Sequence, residues 1–169
     1  MKVLAGDIGG TNARLAIVGV EAGAIEILHR ARFPSKDFSG LAPIVQRFLA
    51  DAPNTVDRAG FGVACPVIHG DCATANLPWT INASALAREI GIPRTELVND
   101  IQALGHGIHR LGPRETVTLQ AGEPEAHGVI ALIAAGTGLG EGFLVWENDR
   151  YRVHVSEGGH ASYAPNGAL

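Results

Sequence analysis

The chain has 169 residues, enough for one domain or two small ones with a sizeable core. Its hydrophobic content of 46% is ordinary for a globular protein, and a net charge of -4 argues against nucleic-acid binding, which needs clustered Lys and Arg. No apolar run is long enough to span a bilayer, and no charged-then-apolar leader precedes the first strand, so a cytoplasmic protein is expected.

The first element is the most informative. Val3-Leu4-Ala5 leads into Gly6-Asp7-Ile8-Gly9-Gly10-Thr11, and apolar residues alternate again through Leu15 and Ile17. This pattern predicts a strand, a glycine turn and a second strand, a hairpin rather than a strand-to-helix crossover. Glycines in such a turn bring backbone N–H groups close to an anion. Asp7 cannot itself favour a phosphate, so its place beside that turn makes sense with a bridging cation. Mg²⁺ suits this role, because it prefers a few carboxylate oxygens together with substrate phosphates. A Walker loop is excluded by the lack of a Gly-Lys-Ser/Thr helix start, and a dinucleotide fingerprint by spacing and the missing helix. The expectation is a nucleotide phosphate site, against the plainer alternative of a glycine-rich hairpin.

Ala24 to Arg30 then reads as a third strand after a turn at Gly23. Leu41, Ile44, Val45, Phe48 and Leu49 recur at helical spacing, with Ser39 as the expected cap and Pro43 tolerated in the first turn. Ala59 to Ala64 is a further strand, stopped by Cys65-Pro66. Cys65 and Cys72 make no metal spacing; they flank an expected turn and could pair, but reduced thiols are the expectation for a cytosolic enzyme. A loop at Asn76-Leu77-Pro78-Trp79 precedes a short helix capped by Asn82 and ended by Gly91. Glu96-Leu97-Val98 is a strand running into Asn99-Asp100 and a helix bearing Ile101, Leu104, Ile108 and Leu111. Three hairpin-linked strands followed by alternating helix and strand give an α/β class with a mixed sheet. The expected domain boundary lies at Arg110 to Glu115, dividing residues 1–110 from 111–169.

Beyond it comes an internal echo. Gly128 to Val145 again reads as strand, Gly-Thr turn and strand, with Gly136-Thr137 falling on Gly10-Thr11. Two similar halves, each presenting a glycine hairpin to a shared cleft, are expected. Asn99-Asp100 stands at the C-terminal end of a strand, where open α/β sheets place ligands, although helix capping also accounts for either residue. Ser156-Glu157-Gly158-Gly159-His160 follows a last strand over Tyr151 to Val155. One Glu and one His make a poor closed metal site. With Asn99 and Asp100 they form a polar set suited to the hydroxyls of a polyol, against the alternative of a solvated turn.

These stretches together, from the Gly6–Arg14 segment through Asn76–Trp79, Asn99-Asp100 and Gly136–Gly140 to Glu157–His160, resemble the motifs of the bacterial glucokinase family. That family belongs to the sugar kinase, heat-shock ATPase and actin fold group. The resemblance implies an actin-like ATPase fold and ATP-dependent phosphorylation of glucose at its 6-hydroxyl, the first step of glycolysis. It implies that Gly6, Asp7, Ile8, Gly9, Gly10 and Thr11 form a first phosphate loop, with Asp7 near the metal-bound phosphates. Gly136, Thr137 and Gly138 would belong to a second such loop. By the same resemblance Asp100 is the catalytic base, and Asn99, Glu157 and His160 are sugar-hydroxyl ligands. It further implies a homodimer, a smaller domain to about residue 110 and the beginning of a larger one after it. Family members are longer, so a further sugar-binding Glu, most of the larger domain and the adenosine pocket are expected beyond Leu169. Rival readings are another sugar kinase of the ROK group (repressors, open reading frames and kinases) and a non-catalytic sugar-binding fragment. A DNA-binding regulator on the same scaffold would need a helix-turn-helix ahead of Met1-Lys2-Val3.

Overall fold

The N-terminal hairpin forms as its alternation predicts. In this computed structural model, which describes residues 1–52, 55–73, 78–136 and 138–161, β1 (Lys2–Ile8) and β2 (Asn12–Glu21) pair antiparallel, with Asp7 opposite Arg14. Leu4 and Ile8 of β1 and Ala13, Leu15 and Ile17 of β2 turn one way and are buried, as a period of two requires. β3 (Ala24–Pro34) returns alongside β2 through a two-residue turn, Ala22-Gly23. Both turn residues take positive φ, 47° and 83°, the backbone that matches the twist of a tight hairpin, and glycine adopts it without steric cost.

α1 (Leu41–Ala50) buries Leu41, Ile44, Val45 and Phe48, a single stripe at helical spacing. Its N-cap is Gly40 and no side chain caps it, so the expected role of Ser39 is not realised. β4 (Arg58–Val63) then lies parallel to β1. A small two-stranded ladder follows, β5 (Asp71–Ala73) against β6 (Thr80–Asn82), in a region where the sequence pattern predicts turn and loop. Asn76 and Leu77, part of that expected loop, lie outside the described residues. α2 (Ala83–Ile90) begins as expected: the Asn82 Oδ1 accepts the Ala85 N–H at 2.7 Å, and Gly91 closes the helix in the left-handed region at φ 71°. Asn82→Ala should lower stability by about 1 kcal/mol in denaturant unfolding. No measurable loss would show that the cap contributes nothing. β7 (Thr95–Asn99) pairs parallel with β4 and completes a mixed sheet of order β3-β2-β1-β4-β7. The core of this unit gathers Leu4, Leu15, Ile17, Ile44, Phe48 and Phe61, all 2% exposed or less.

The Cys65–Cys72 pair departs from expectation. The two residues form a disulfide, with Cα atoms 6.0 Å apart. Ile68 and Asp71 exchange backbone hydrogen bonds of 2.9 Å, which folds Pro66–Asp71 back on itself and returns Cys72 to Cys65. Among the described residues no helix is long and apolar enough to cross a membrane.

The chain divides into two compact units, Met1–Asp100 and Ile101–Leu169. The second is built from α3 (Asp100–Gly107), whose first residue closes the first unit, and a three-stranded antiparallel sheet of β8 (Ile130–Ala135), β9 (Leu139–Glu147) and β10 (Arg150–Ser156), in the order β10-β9-β8. Small residues let the helix sit close. A Cβ at Gly140 would meet the Ile101 side chain, and one at Gly105 would come within 2.6 Å of Val153. The β9–β10 turn is Asn148-Asp149, both with positive φ. α3 is shorter than its apolar pattern suggests: it gives way to a 3-10 turn at Ile108–Arg110, and Leu104 and Leu111 are exposed.

Candidate active site

Three parallel strands set the first half of the site. In register, Ile8 of β1 stands beside Val63 of β4, and Val63 beside Asn99 of β7. Their carboxyl ends therefore share one edge of the sheet, where α/β folds place ligands. The Gly9-Gly10-Thr11 turn leaves β1 at that edge, and Asn99-Asp100 leaves β7 there. The sequence-predicted phosphate turn and base are thus brought to the same edge within one unit.

The turn is held from behind. The Gly9 N–H donates to the Asn12 carbonyl at 3.0 Å, closing a tip of Gly10 and Thr11. Buried Ser35 donates its hydroxyl to the Gly9 carbonyl at 2.8 Å, and its N–H donates to the Thr11 carbonyl at 3.0 Å. With these carbonyls engaged, the hairpin is braced at its base. This serine carries no sequence motif; only its pairing opposite the turn reveals its role. Asp7 accepts from Arg14 Nη1 at 2.6 Å, both side chains being more than half exposed. An exposed carboxylate beside a glycine turn fits a Mg²⁺ that keeps waters and takes its other oxygens from phosphates. Among the described residues no group of three or more His, Cys, Asp and Glu gathers as a metal cage.

Not every residue of the expected loop faces outward. Ile8 is buried, and its carbonyl accepts the Ala64 N–H at 3.2 Å. Gly6 lies between β2 and β4, where a Cβ would meet the Phe61 ring. Asn99 and Asp100 are half-buried, and the Asn99 Nδ2 donates to the Cys65 carbonyl at 3.2 Å. Asp100 stands in the first turn of α3, where the helix dipole favours negative charge.

The second unit repeats the plan. β8 and β9 form a hairpin closed by the Gly136 N–H donating to the Gly138 carbonyl at 2.8 Å. Thr137, between them, lies outside the described residues. In both units a glycine hairpin is followed by a third antiparallel strand, β3 after β2 and β10 after β9. The turn after β10 carries Glu157 and His160, with Nδ1 of the imidazole 3.2 Å from the Glu157 Oε2 and both side chains exposed. Gly159 packs against the Leu139 carbonyl, where a Cβ has no room, so this turn and the second glycine hairpin sit together within the unit.

Two units that each carry a glycine hairpin, with a carboxylate at the sheet edge of the first, define the actin-like ATPase fold of the sugar kinases. Solved structures agree. The chain is similar to a glucokinase from an Antarctic psychrotroph, at 32% identity and a TM-score of 0.83 over 98% of this chain and 53% of that one. A fold likeness extends to a ROK family glucokinase from Streptomyces griseus, solved with glucose and AMPPNP, at 23% identity and a TM-score of 0.67 over 100% of this chain and 53% of that one. The family model for glucokinase matches residues 4–169. A curated glucokinase of Nostoc sp. is 41% identical over 99% of this chain and 50% of its own length. The chain belongs to the glucokinase family, and it spans about half the length of the curated relatives it matches.

Proposed function

We propose that the polypeptide carrying this segment, at its relatives' full length, transfers the γ-phosphoryl group of ATP to the 6-hydroxyl of D-glucose. The observation that supports this most directly is the shared sheet edge: the Gly9–Thr11 turn and Asp100 leave the parallel strands β1 and β7, which flank β4, on the same side. Phosphoryl transfer asks for positioning and electrostatic stabilisation more than covalent chemistry, and these residues supply both. Asp100 accepts the proton of the attacking hydroxyl. Asn99, Glu157 and His160 hold the other hydroxyls and so orient the sugar. Backbone N–H groups at Gly10-Thr11 and in the Gly136-Thr137-Gly138 turn bind phosphate oxygens. Asp7 would hold Mg²⁺, which when bound neutralises phosphate charge. Residues 1–110 serve as the smaller domain, 111–169 begin the larger one, and the enzyme works as a cytoplasmic homodimer.

The test is a coupled assay on the full-length polypeptide with glucose, mannose and ATP. Glucose-dependent ADP release is expected; hydrolysis of ATP indifferent to every sugar would reject the reading. Glu157→Gln should raise KM for glucose about tenfold or more with a smaller change in kcat, since a lost charged hydrogen bond costs about 1.5–3 kcal/mol. An unchanged KM would remove Glu157 from the sugar site.

A further inference from the structure

We propose that Cys65 and Cys72 form a reversible thiol–disulfide switch that sets the affinity of the sugar site; the inference rests on the glucose reading above and adds a control to it. The argument begins with position. Cys65 follows the carboxyl end of β4, and its carbonyl accepts the hydrogen bond of the Asn99 Nδ2 at 3.2 Å. The preceding residue, Ala64, donates its N–H to the Ile8 carbonyl at 3.2 Å. The Ala64-Cys65 backbone thus bridges the base of the glycine hairpin and the residue beside Asp100. The disulfide fixes this bridge from a third direction, by tying it to Cys72 of β5.

The partner strand makes the bond suited to exchange. β5 and β6 each have three residues and form a two-stranded sheet separate from the main one, a ladder of the size that opens at low cost. Both sulfur-bearing residues are buried while the ladder is closed, Cys65 at 5% and Cys72 at 1% exposure. Exchange therefore follows local opening rather than direct attack on the folded surface. Disulfides in reducing compartments are typically transient and redox-sensing rather than structural.

Reduction breaks the Sγ–Sγ bond. A dithiol supplies two electrons and two protons, leaves Cys65 and Cys72 as thiols, and itself becomes a cyclic disulfide. Oxidation runs the other way, with a low-molecular-weight disulfide accepting the two electrons and two protons and departing as two thiols. In the disulfide form the Cys65 carbonyl holds the Asn99 amide in one orientation. In the dithiol form the Pro66–Asp71 segment is released at one end and that orientation is less well held. Cys65 acts as a positioning residue, through Asn99.

The experiment compares the full-length polypeptide after dithiothreitol and after oxidised glutathione, counting alkylated thiols by mass and measuring glucose binding by calorimetry beside the coupled assay. The oxidised form should leave Cys65 and Cys72 unalkylated. The dithiol form should bind glucose about threefold to tenfold more weakly, the range one orienting hydrogen bond supplies, with kcat unchanged. Re-oxidation should restore the affinity, which a folding lesion would not allow. Cys72→Ala should show the weaker affinity under both treatments. Equal glucose affinity in both forms, or Cys65 and Cys72 both alkylated after oxidation, overturns the switch while leaving the kinase reading intact. Failure to bind glucose in either form rejects the kinase reading, and the switch with it.

Discussion

Asp100→Asn in the full-length polypeptide is expected to lower kcat for glucose phosphorylation by about a hundred- to ten-thousand-fold, the usual worth of a general base. Glucose affinity should change little. The substitution keeps the shape and hydrogen-bonding reach of the side chain and removes its capacity to take a proton. Asp100 leaves β7 at the edge shared with the Gly9–Thr11 turn, half-buried in the first turn of α3, so the change falls on charge and not on packing. Steady-state kinetics with a direct binding measurement separates the two effects. A large rise in KM with kcat intact would make Asp100 a residue that binds ground state and transition state alike.

Gly6→Ala is expected to cost about 1–3 kcal/mol of stability, the usual penalty of overpacking a core. Exposed Gly→Ala changes commonly stabilise a protein by about 0.4–1 kcal/mol through the unfolded chain, so the sign here is decided by space. A Cβ at Gly6 would meet the Phe61 ring and come within 3.0 Å of Leu15 Cδ2. Phe61 is 0% exposed and Leu15 2%, so neither can swing into solvent. β1 would have to move, and the hairpin that carries Asp7 with it. Chemical denaturation reads the loss, and a midpoint equal to or above that of the parent would show that the core can absorb the methyl group.

Much of this was legible in the sequence, where the signal was local. Alternation around Gly6–Ile17 is enough to specify a hairpin, because neighbouring residues decide it. Asn82 and Gly91 bracket α2 by capping chemistry that involves residues within one turn. The β5–β6 ladder escaped the pattern because strands of three residues carry no readable period. The Cys65–Cys72 bond escaped because spacing alone does not say whether the intervening turn brings the two Cα atoms together. Ser35 escaped for the same reason: its hydroxyl meets Gly9 only once β3 has folded back beside β2. Of the candidate site, the two glycine hairpins could be read from turn chemistry. The roles of Asn99, Asp100, Glu157 and His160 came from family resemblance, since a polar pair at a strand end or in a turn is also what caps and solvated loops look like.

The claim at the centre is that Asp100 and the Gly9–Thr11 turn serve one reaction. A crystal structure of the full-length polypeptide with glucose and a non-hydrolysable ATP analogue tests it most directly. It should show a carboxylate oxygen of Asp100 about 2.6–3.2 Å from the 6-hydroxyl, with the hairpin N–H groups on phosphate oxygens. An Asp100 carboxylate turned away from that hydroxyl, or a nucleotide that leaves the hairpin untouched, would contradict the account.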